Sequence, residues 1–161
     1  MTITSDIQYL PAMRVTVFNA LATIIVIVTL FFFIAFYEKI PSLIPTHYGF
    51  NGEVDSWGSK NTLWYFVIGN IVINILLGVL TKYPQIYNYP FKVTDKNREK
   101  VYASGSLFVA VLRLVVSLVV ACVILFMSLS VEKIPILLYV FILSLPVISV
   151  LYGVIQLIKN K

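Results

Sequence analysis

The sequence predicts an all-α integral membrane protein with four transmembrane helices, and two observations carry this prediction. The first is composition: of 161 residues, 60% are hydrophobic and 12% are charged, with a mean hydropathy of +0.94. Soluble domains are about 45–50% apolar, and a soluble globule of this size could not bury such an excess. The second is that the few charges divide the chain into long windows. Composition therefore excludes a soluble enzyme and a disordered chain, and the single cysteine, Cys122, excludes an intramolecular disulfide.

The windows have the lengths of single membrane crossings. Residues 15–37, 61–81 and 134–158 are uncharged, and residues 101–131 contain one charge, Arg113. A helix needs about 20 residues to cross a hydrocarbon core of about 30 Å, so each window accommodates one crossing and not two. We therefore expect one transmembrane domain over residues 1–161, with helices at approximately 15–37, 62–81, 103–129 and 134–158.

The first window is expected to be a helix that stays in the protein, and neither a β-strand nor a cleaved signal peptide. Residues 24–28 read Ile-Ile-Val-Ile-Val, without the alternation of apolar and polar residues that a transmembrane β-strand shows. Its apolar run is longer than the core of a cleaved signal peptide, and the segment from Phe36 to Lys39 offers no small-residue cleavage site.

Basic residues predict the orientation of the helices. Eight lysines and arginines flank the windows on one side and three on the other. The larger group comprises Arg14, Lys82, Lys92, Lys96, Arg98, Lys100, Lys159 and Lys161, and the smaller group Lys39, Lys60 and Lys133. Because short cytoplasmic segments are enriched in lysine and arginine, we expect both termini and a basic loop at 82–100 inside, and the 38–60 loop outside.

The net charge of +5 is explained by this flanking of apolar helices, where basic residues bind anionic headgroups of the lipid bilayer. No nucleic acid partner is needed to account for it. The basic loop at 82–100 has two interpretations, a solvated patch at the membrane surface or a contact for a cytoplasmic regulator.

The outward loop at 38–60 is long and is expected to be ordered. Pro41 and Pro45 fix their own backbone angles, and Asn51-Gly52 is a strong turn signal. Several apolar side chains are suited to pack it onto the helix ends, with Tyr48 and Trp57 at the membrane interface: Leu43, Ile44, Tyr48, Phe50, Val54 and Trp57.

This loop also carries a resemblance to a known family. The residues that match are Pro41, Ile44, Pro45, His47, Tyr48, Gly52, Asp55, Trp57, Ser59 and Lys60, and the segment Asn88-Tyr89-Pro90 with Thr94 and Asn97. The string resembles the signature loop of a bacterial membrane domain of unknown function that forms the N-terminal part of SdpI-type immunity proteins. Those proteins carry additional helices, whereas four are predicted here.

The resemblance implies a non-enzymatic protein of the bacterial plasma membrane. It would protect against, or sense, an extracellular peptide toxin or envelope stress. The residues themselves leave two other classes open. One is a small transporter or accessory membrane subunit that uses Arg113 and Asn74, and the other is a membrane enzyme that uses His47 and Asp55.

The polar residues of the loop form the first candidate site, for ligand binding: His47, Asn51, Glu53, Asp55, Trp57 and Lys60. One imidazole and two carboxylates could bind a metal ion, but the chain has one histidine and no diagnostic ligand spacing, so no metal or cofactor is expected. The alternative is an internally bonded cap, with Lys60 paired to Asp55 or Glu53, His47 donating to a loop carbonyl, and Ser59 or Asp55 capping the second helix.

Arg113 is the centre of the second candidate site, inside the membrane. It is placed near the middle of the bilayer, where a charge costs about 3 kcal/mol or more. It shares one helix face with small residues, which suits close packing: Ser106, Ala110, Ser117 and Ala121. The acidic residues lie outside the windows, so we expect Arg113 to point into the bundle without a carboxylate partner.

The expected partners of Arg113 are neutral. Asn70, Asn74 and Gly78 share a face of the second helix, and Pro146 frees the carbonyl of Ile142 in the fourth. Three interpretations remain open: a packing network, an anion or ligand site reached from a cavity, and a side chain that extends to the cytoplasmic headgroups.

Overall fold

A computed structural model of the chain describes residues 12–159. Four long helices, α1 (Met13–Phe36), α2 (Leu63–Leu80), α3 (Arg98–Ser128) and α4 (Ile136–Lys159), are joined by short segments. A β-hairpin of β1 (Leu43–Tyr48) and β2 (Val54–Ser59) lies between α1 and α2. All four helices are long and apolar enough to cross a membrane, which confirms the predicted fold class.

Helix boundaries agree with the predicted ones to within two residues, except at the start of α3. That helix begins at Arg98 rather than near residue 103, because a polar turn starts it before the apolar window. The carbonyl of Thr94 accepts from the amides of Asn97 and Arg98 at 3.2 and 2.9 Å. The last residues of the predicted 82–100 loop are therefore helical, and the connection between α2 and α3 spans residues 81–97.

α3 is the central helix, since it packs against α1, α2 and α4. Most of the predicted small-residue face of α3 is buried: Ser106, Ala110 and Ser117 are fully buried and Arg113 is 9% exposed, whereas Ala121 is half-buried. α4 approaches α3 closely at Gly153, where an added Cβ would lie 2.0 Å from the ring of Phe108. α1 and α2 contact each other much less than each contacts α3.

The bundle has two ends. The hairpin and the α3–α4 connection (residues 129–135) meet at one end, which we call the hairpin end. The start of α1 and the end of α2 meet at the other, the distal end, where the Asn19 amide donates to the Thr81 hydroxyl at 3.0 Å. An apolar core lies beneath the hairpin and consists of Phe33, Ile40, Ile44, Leu63, Val67, Ile124 and Met127.

Candidate functional site

The 38–60 segment, which we call the cap, is ordered as predicted, but its two strands were not predicted. The strands pair antiparallel, with Leu43 opposite Ser59 and Tyr48 opposite Val54. The register shifts after Pro45, a residue that lacks a ladder donor and is tolerated at such irregularities. The predicted turn closes the hairpin, with Gly52 at a φ of +78°, a conformation that glycine adopts without strain.

The cap is fixed to the α3–α4 connection by backbone hydrogen bonds. The Ile134 amide donates to the Gly52 carbonyl at 2.8 Å, and the Val54 amide donates to the Glu132 carbonyl at 3.0 Å. A Cβ on Gly52 would lie 2.3 Å from the Ile134 oxygen, so this approach also requires glycine. The connection thus meets the hairpin in a single antiparallel β-bridge, between Glu53 and Lys133.

Tyr48 adds a side-chain attachment between the cap and the same connection. Its hydroxyl donates to the Val131 carbonyl at 2.8 Å, and its own carbonyl accepts from the Tyr139 hydroxyl at 3.2 Å. Partial burial raises the pKa of the Tyr48 phenol, so the group stays protonated and remains a donor. Tyr48 therefore bonds the cap to the α3–α4 connection and to the start of α4, and its predicted position at the membrane interface stays a prediction.

Lys60 holds the cap to the end of α1. Its Nζ donates to the carbonyls of Tyr37 and Ile40 at 3.1 and 3.5 Å and lies 4.5 Å from the centre of the Tyr37 ring. The predicted pairing of Lys60 with Asp55 or Glu53 is therefore wrong. The Tyr37 carbonyl also accepts from the Ile40 amide at 3.2 Å, so the ammonium adds a second bond to the turn that follows α1. The Ser59 hydroxyl accepts from the Asn61 backbone amide at 3.3 Å, so Ser59 caps the 3-10 turn Lys60–Thr62 that leads into α2 and not α2 itself.

Glu53 and Asn51 organise the turn of the hairpin. Lys133 donates to Glu53 at 2.7 Å and lowers the pKa of the Glu53 carboxyl, first through this hydrogen bond and then through its charge. The Asn51 amide donates to the same carboxyl at 2.8 Å, while its oxygen accepts from the Glu53 amide at 3.1 Å. Both predicted ligand-binding residues are thus used within the cap.

His47 and Asp55 form a pair on the exposed face of the hairpin. The His47 Nδ1 lies 2.5 Å from an oxygen of Asp55, and their side chains are 68% and 52% exposed. The predicted bond from His47 to a loop carbonyl and the predicted helix cap by Asp55 are therefore wrong. Within residues 12–159, no three His, Cys, Asp or Glu side chains come together in a way that could hold a metal ion.

Apolar side chains are also exposed on the cap. Phe50, at the turn, is 96% exposed, and Trp57 on β2 is 45% exposed. Trp57 lines an open cleft of about 430 Å³ between β2 and the α3–α4 connection, together with Glu53, Val54, Glu132 and Lys133. The cap therefore exposes an aromatic ring, carboxylates and the imidazole. It is bonded to the α3–α4 connection through its backbone and to the end of α1 through Lys60.

Inside the bundle, Arg113 is buried among neutral acceptors from two helices. Its Nε donates to the Asn74 oxygen at 3.2 Å, which confirms one predicted partner. Its Nη1 donates to the side-chain and backbone oxygens of Asn19 at 2.9 and 3.2 Å, and its Nη2 to the Thr23 hydroxyl at 2.9 Å. The second predicted partner, the carbonyl of Ile142, is wrong, because α1 rather than α4 lies against this face of α3.

Two other buried residues complete this polar cluster. The Asn74 amide donates to the side-chain and backbone oxygens of Asn70 at 2.9 and 3.0 Å, and the Ser117 hydroxyl donates to the Asn74 oxygen at 2.8 Å. The shared face of Asn70 and Asn74 is thus confirmed. We call the set the polar cluster: Asn19, Thr23, Asn70, Asn74, Arg113 and Ser117.

The guanidinium of Arg113 lies beside Gly78, one helical turn from Asn74 toward the distal end. A Cβ on Gly78 would lie 3.1 Å from the Arg113 Cζ, and Gly78 precedes Thr81, the residue that caps the end of α2, by only about 4.5 Å of helix. Side chains lean toward the N-terminus of their helix, which for α3 is the distal end. The guanidinium is therefore displaced from the position of its own Cα toward that end of the bundle.

Comparison with known proteins identifies one domain. Residues 24–71 match the family model described as "Domain of unknown function (DUF1648)". The match begins within α1, contains the whole hairpin and ends within α2. No curated protein and no solved structure matches the chain.

The match contains the 38–60 loop but not the segment at 88–97 that was also part of the resemblance, and no named relative links the chain to SdpI-type proteins. The domain match and the four apolar helices show that this is a multi-pass membrane protein that carries a DUF1648 domain at residues 24–71.

Proposed function

We propose that the chain is a bacterial plasma-membrane protein that recognises an extracellular peptide or envelope-active agent with its cap, and so provides immunity or sensing. The single observation that carries the proposal is the exposed His47–Asp55 pair on a hairpin bonded to the rest of the bundle, with the exposed Trp57 two residues from Asp55 on β2. Binding groups are commonly placed on connecting segments that a rigid scaffold positions. In this proposal the cap binds and does not catalyse.

The chemistry of the exposed groups suits a cationic, partly apolar peptide. Asp55 and Glu132 offer carboxylates, and Trp57 offers a large flat surface with little conformational entropy to lose. In this proposal Asn51, Glu53 and Lys60 support the geometry of the cap, because they bond its turn, the α3–α4 connection and the end of α1. A signal would pass inward through α3 to the basic connection, where we propose that a cytoplasmic regulator docks.

The test is protection of living cells. The chain is expressed in a Gram-positive host, and survival is measured against a panel of cationic envelope-active peptides. We expect protection against at least one peptide, lost on Trp57→Ala and on the double change His47→Ala with Asp55→Ala. Phe141→Ala, at an exposed position on α4, is the matched control and should protect like the parent chain at equal membrane abundance. A parent chain that protects against none of the panel contradicts the proposal.

A transporter that uses Arg113 and Asn74 is the second candidate. The observation that favours it is the cleft of about 520 Å³ that reaches Asn19 and Thr23, two partners of Arg113. Immunity by recognition at the cap should survive a change of Arg113 that leaves the fold intact, whereas transport should not.

A further inference from the structure

Arg113 is a buried charge without an opposite charge beside it. Three ion pairs occur within residues 12–159, namely His47–Asp55, Arg98–Asp95 and Lys133–Glu53, and none includes Arg113. All its bonded acceptors are neutral oxygens of Asn19, Thr23 and Asn74. A buried charge is costly unless it is neutralised by a partner, so an anion from outside the chain would stabilise this arrangement.

A cleft beside this charge is open to the surroundings. It lies between α1 and the distal end of α2, has a volume of about 520 Å³, and exists because both helices pack on α3 more than on each other. Its lining is Thr16, Asn19, Ala20, Thr23, Ile24, Thr81 and Lys82. Asn19 and Thr23 therefore have the cleft on one side and the guanidinium of Arg113 on the other.

The lining divides into a polar and an apolar part. Lys82, which is exposed, supplies an ammonium group just past the end of α2, with the hydroxyl of Thr16 across the cleft. Ala20 and Ile24 continue the wall along α1 with apolar surface. Such a combination matches an amphiphile with an anionic head and a hydrocarbon chain, rather than a freely soluble anion.

We propose that this cleft binds an anionic phospholipid, whose headgroup phosphate charge is not balanced by a cationic group of the same headgroup. The Lys82 ammonium would contact the phosphate oxygens, and an acyl chain would lie against Ala20 and Ile24. Arg113 would act as a positioning residue: it holds Asn19 and Thr23 in place and adds positive potential from behind them. The distal end is the side predicted to be cytoplasmic, where anionic lipids attract basic residues next to transmembrane helices.

This site is independent of the recognition proposed for the cap, because it lies at the opposite end of the bundle. Lipid binding could therefore hold while peptide recognition fails, or the reverse. The two proposals are tested with different probes and different variants.

The experiment is a lipid titration of the full purified chain in a mild detergent, followed by native mass spectrometry. Phosphatidylglycerol and phosphatidylcholine with identical acyl chains are compared, so that only the headgroup differs. We expect tighter binding of phosphatidylglycerol. Lys82→Gln should weaken it about fivefold, the factor that corresponds to ~1 kcal/mol for one lysine near the bilayer surface. Lys96→Gln removes a charge from the same end outside the cleft and should leave binding unchanged.

A second variant tests the cleft without changing any charge. Ala20→Phe fills the apolar part of the lining and replaces no member of the polar cluster, so it should abolish the preference for phosphatidylglycerol. Equal binding of the two lipids, or an equal effect of Lys82→Gln and Lys96→Gln, would overturn the proposal. Displacement of phosphatidylglycerol by inorganic phosphate would also overturn it, in favour of a site for a soluble anion.

Discussion

At the scale of single residues, two positions depend on interactions that no similar residue can replace. Arg113 bonds to Asn74 on α2 and to Asn19 and Thr23 on α1, so one planar side chain links three helices. Gly52 accepts a hydrogen bond from Ile134 while its φ is +78°. Each of these features yields a substitution with a matched control.

Arg113→Lys is expected to lower the free energy of unfolding by about 1–3 kcal/mol, the range for leaving buried polar groups without partners. An ammonium group keeps the charge but lacks the planar fork that reaches several acceptors at once. Thermal unfolding in mild detergent measures the effect. Leu118→Ala, at an exposed position on the same helix, should change the unfolding temperature less. An Arg113→Lys variant as stable as the parent would show that the charge alone matters.

Gly52→Ala is expected to loosen the cap. The new Cβ would lie 2.3 Å from the Ile134 oxygen at a φ that alanine rarely adopts, and strain of this kind costs about 1–3 kcal/mol. Hydrogen exchange of the amides in residues 43–59 should become faster. The control is Gly69→Ala in α2, where a Cβ meets nothing within 4 Å. Unchanged exchange in the Gly52→Ala variant would show that the cap does not depend on its contact with the α3–α4 connection.

At the scale of elements, the sequence predicted the four helices because charged residues are excluded from long apolar windows. It did not predict β1 and β2, because Pro45 and the mixed residues of the loop obscure strand alternation, and the third partner of the hairpin, residues 132–134, comes from far along the chain. The order of the cap was nevertheless predictable from its prolines and its Asn51-Gly52 turn.

The sequence predicted only some of the hydrogen-bond partners of Arg113 in the polar cluster. Asn74 was predicted as a partner of Arg113 because the two residues lie at similar depths in the membrane when counted from the ends of their helices. Asn19 and Thr23 were missed as partners because the sequence does not state which helices are neighbours, and α1 lies against α3. Lys60 was predicted to pair with a carboxylate because Glu53 and Asp55 lie nearby in the chain, whereas in the fold its ammonium donates to carbonyls of the turn after α1.

The contact between β2 and the α3–α4 connection is expected to weaken in acid. Lys133 lowers the folded-state pKa of Glu53 below its ordinary value of 4.5. The stabilisation from this pair is thus complete above about pH 4.5 and is lost as pH falls through the lowered pKa. Thermal unfolding at neutral and acid pH should show a smaller acid effect in Glu53→Gln than in the parent, and Glu132→Gln serves as the control. An identical pH dependence in Glu53→Gln and the parent would contradict the role of this pair.

At the scale of the whole molecule, both candidate sites are connected to the central helix: the cap lies beyond its C-terminal end, and Arg113 lies at its middle. α3 carries Arg113 on the face toward α1 and α2, and it ends beside the Val131 carbonyl that receives the Tyr48 hydrogen bond. A change at the cap therefore has a direct packed route along α3 to the distal end. In the proposed function, this helix connects outside recognition to the cytoplasmic side.

The central claim is that the cap faces outward, and it is tested most directly by labelling single cysteines in intact cells. A Cys122→Ala background is given a cysteine either at Ser42, in the cap, or at Lys96, in the α2–α3 connection. Because eight basic residues flank the distal side and three the hairpin side, an impermeant maleimide should label position 42 and not position 96. Labelling at 96 but not at 42 would place the cap in the cytoplasm and contradict the account.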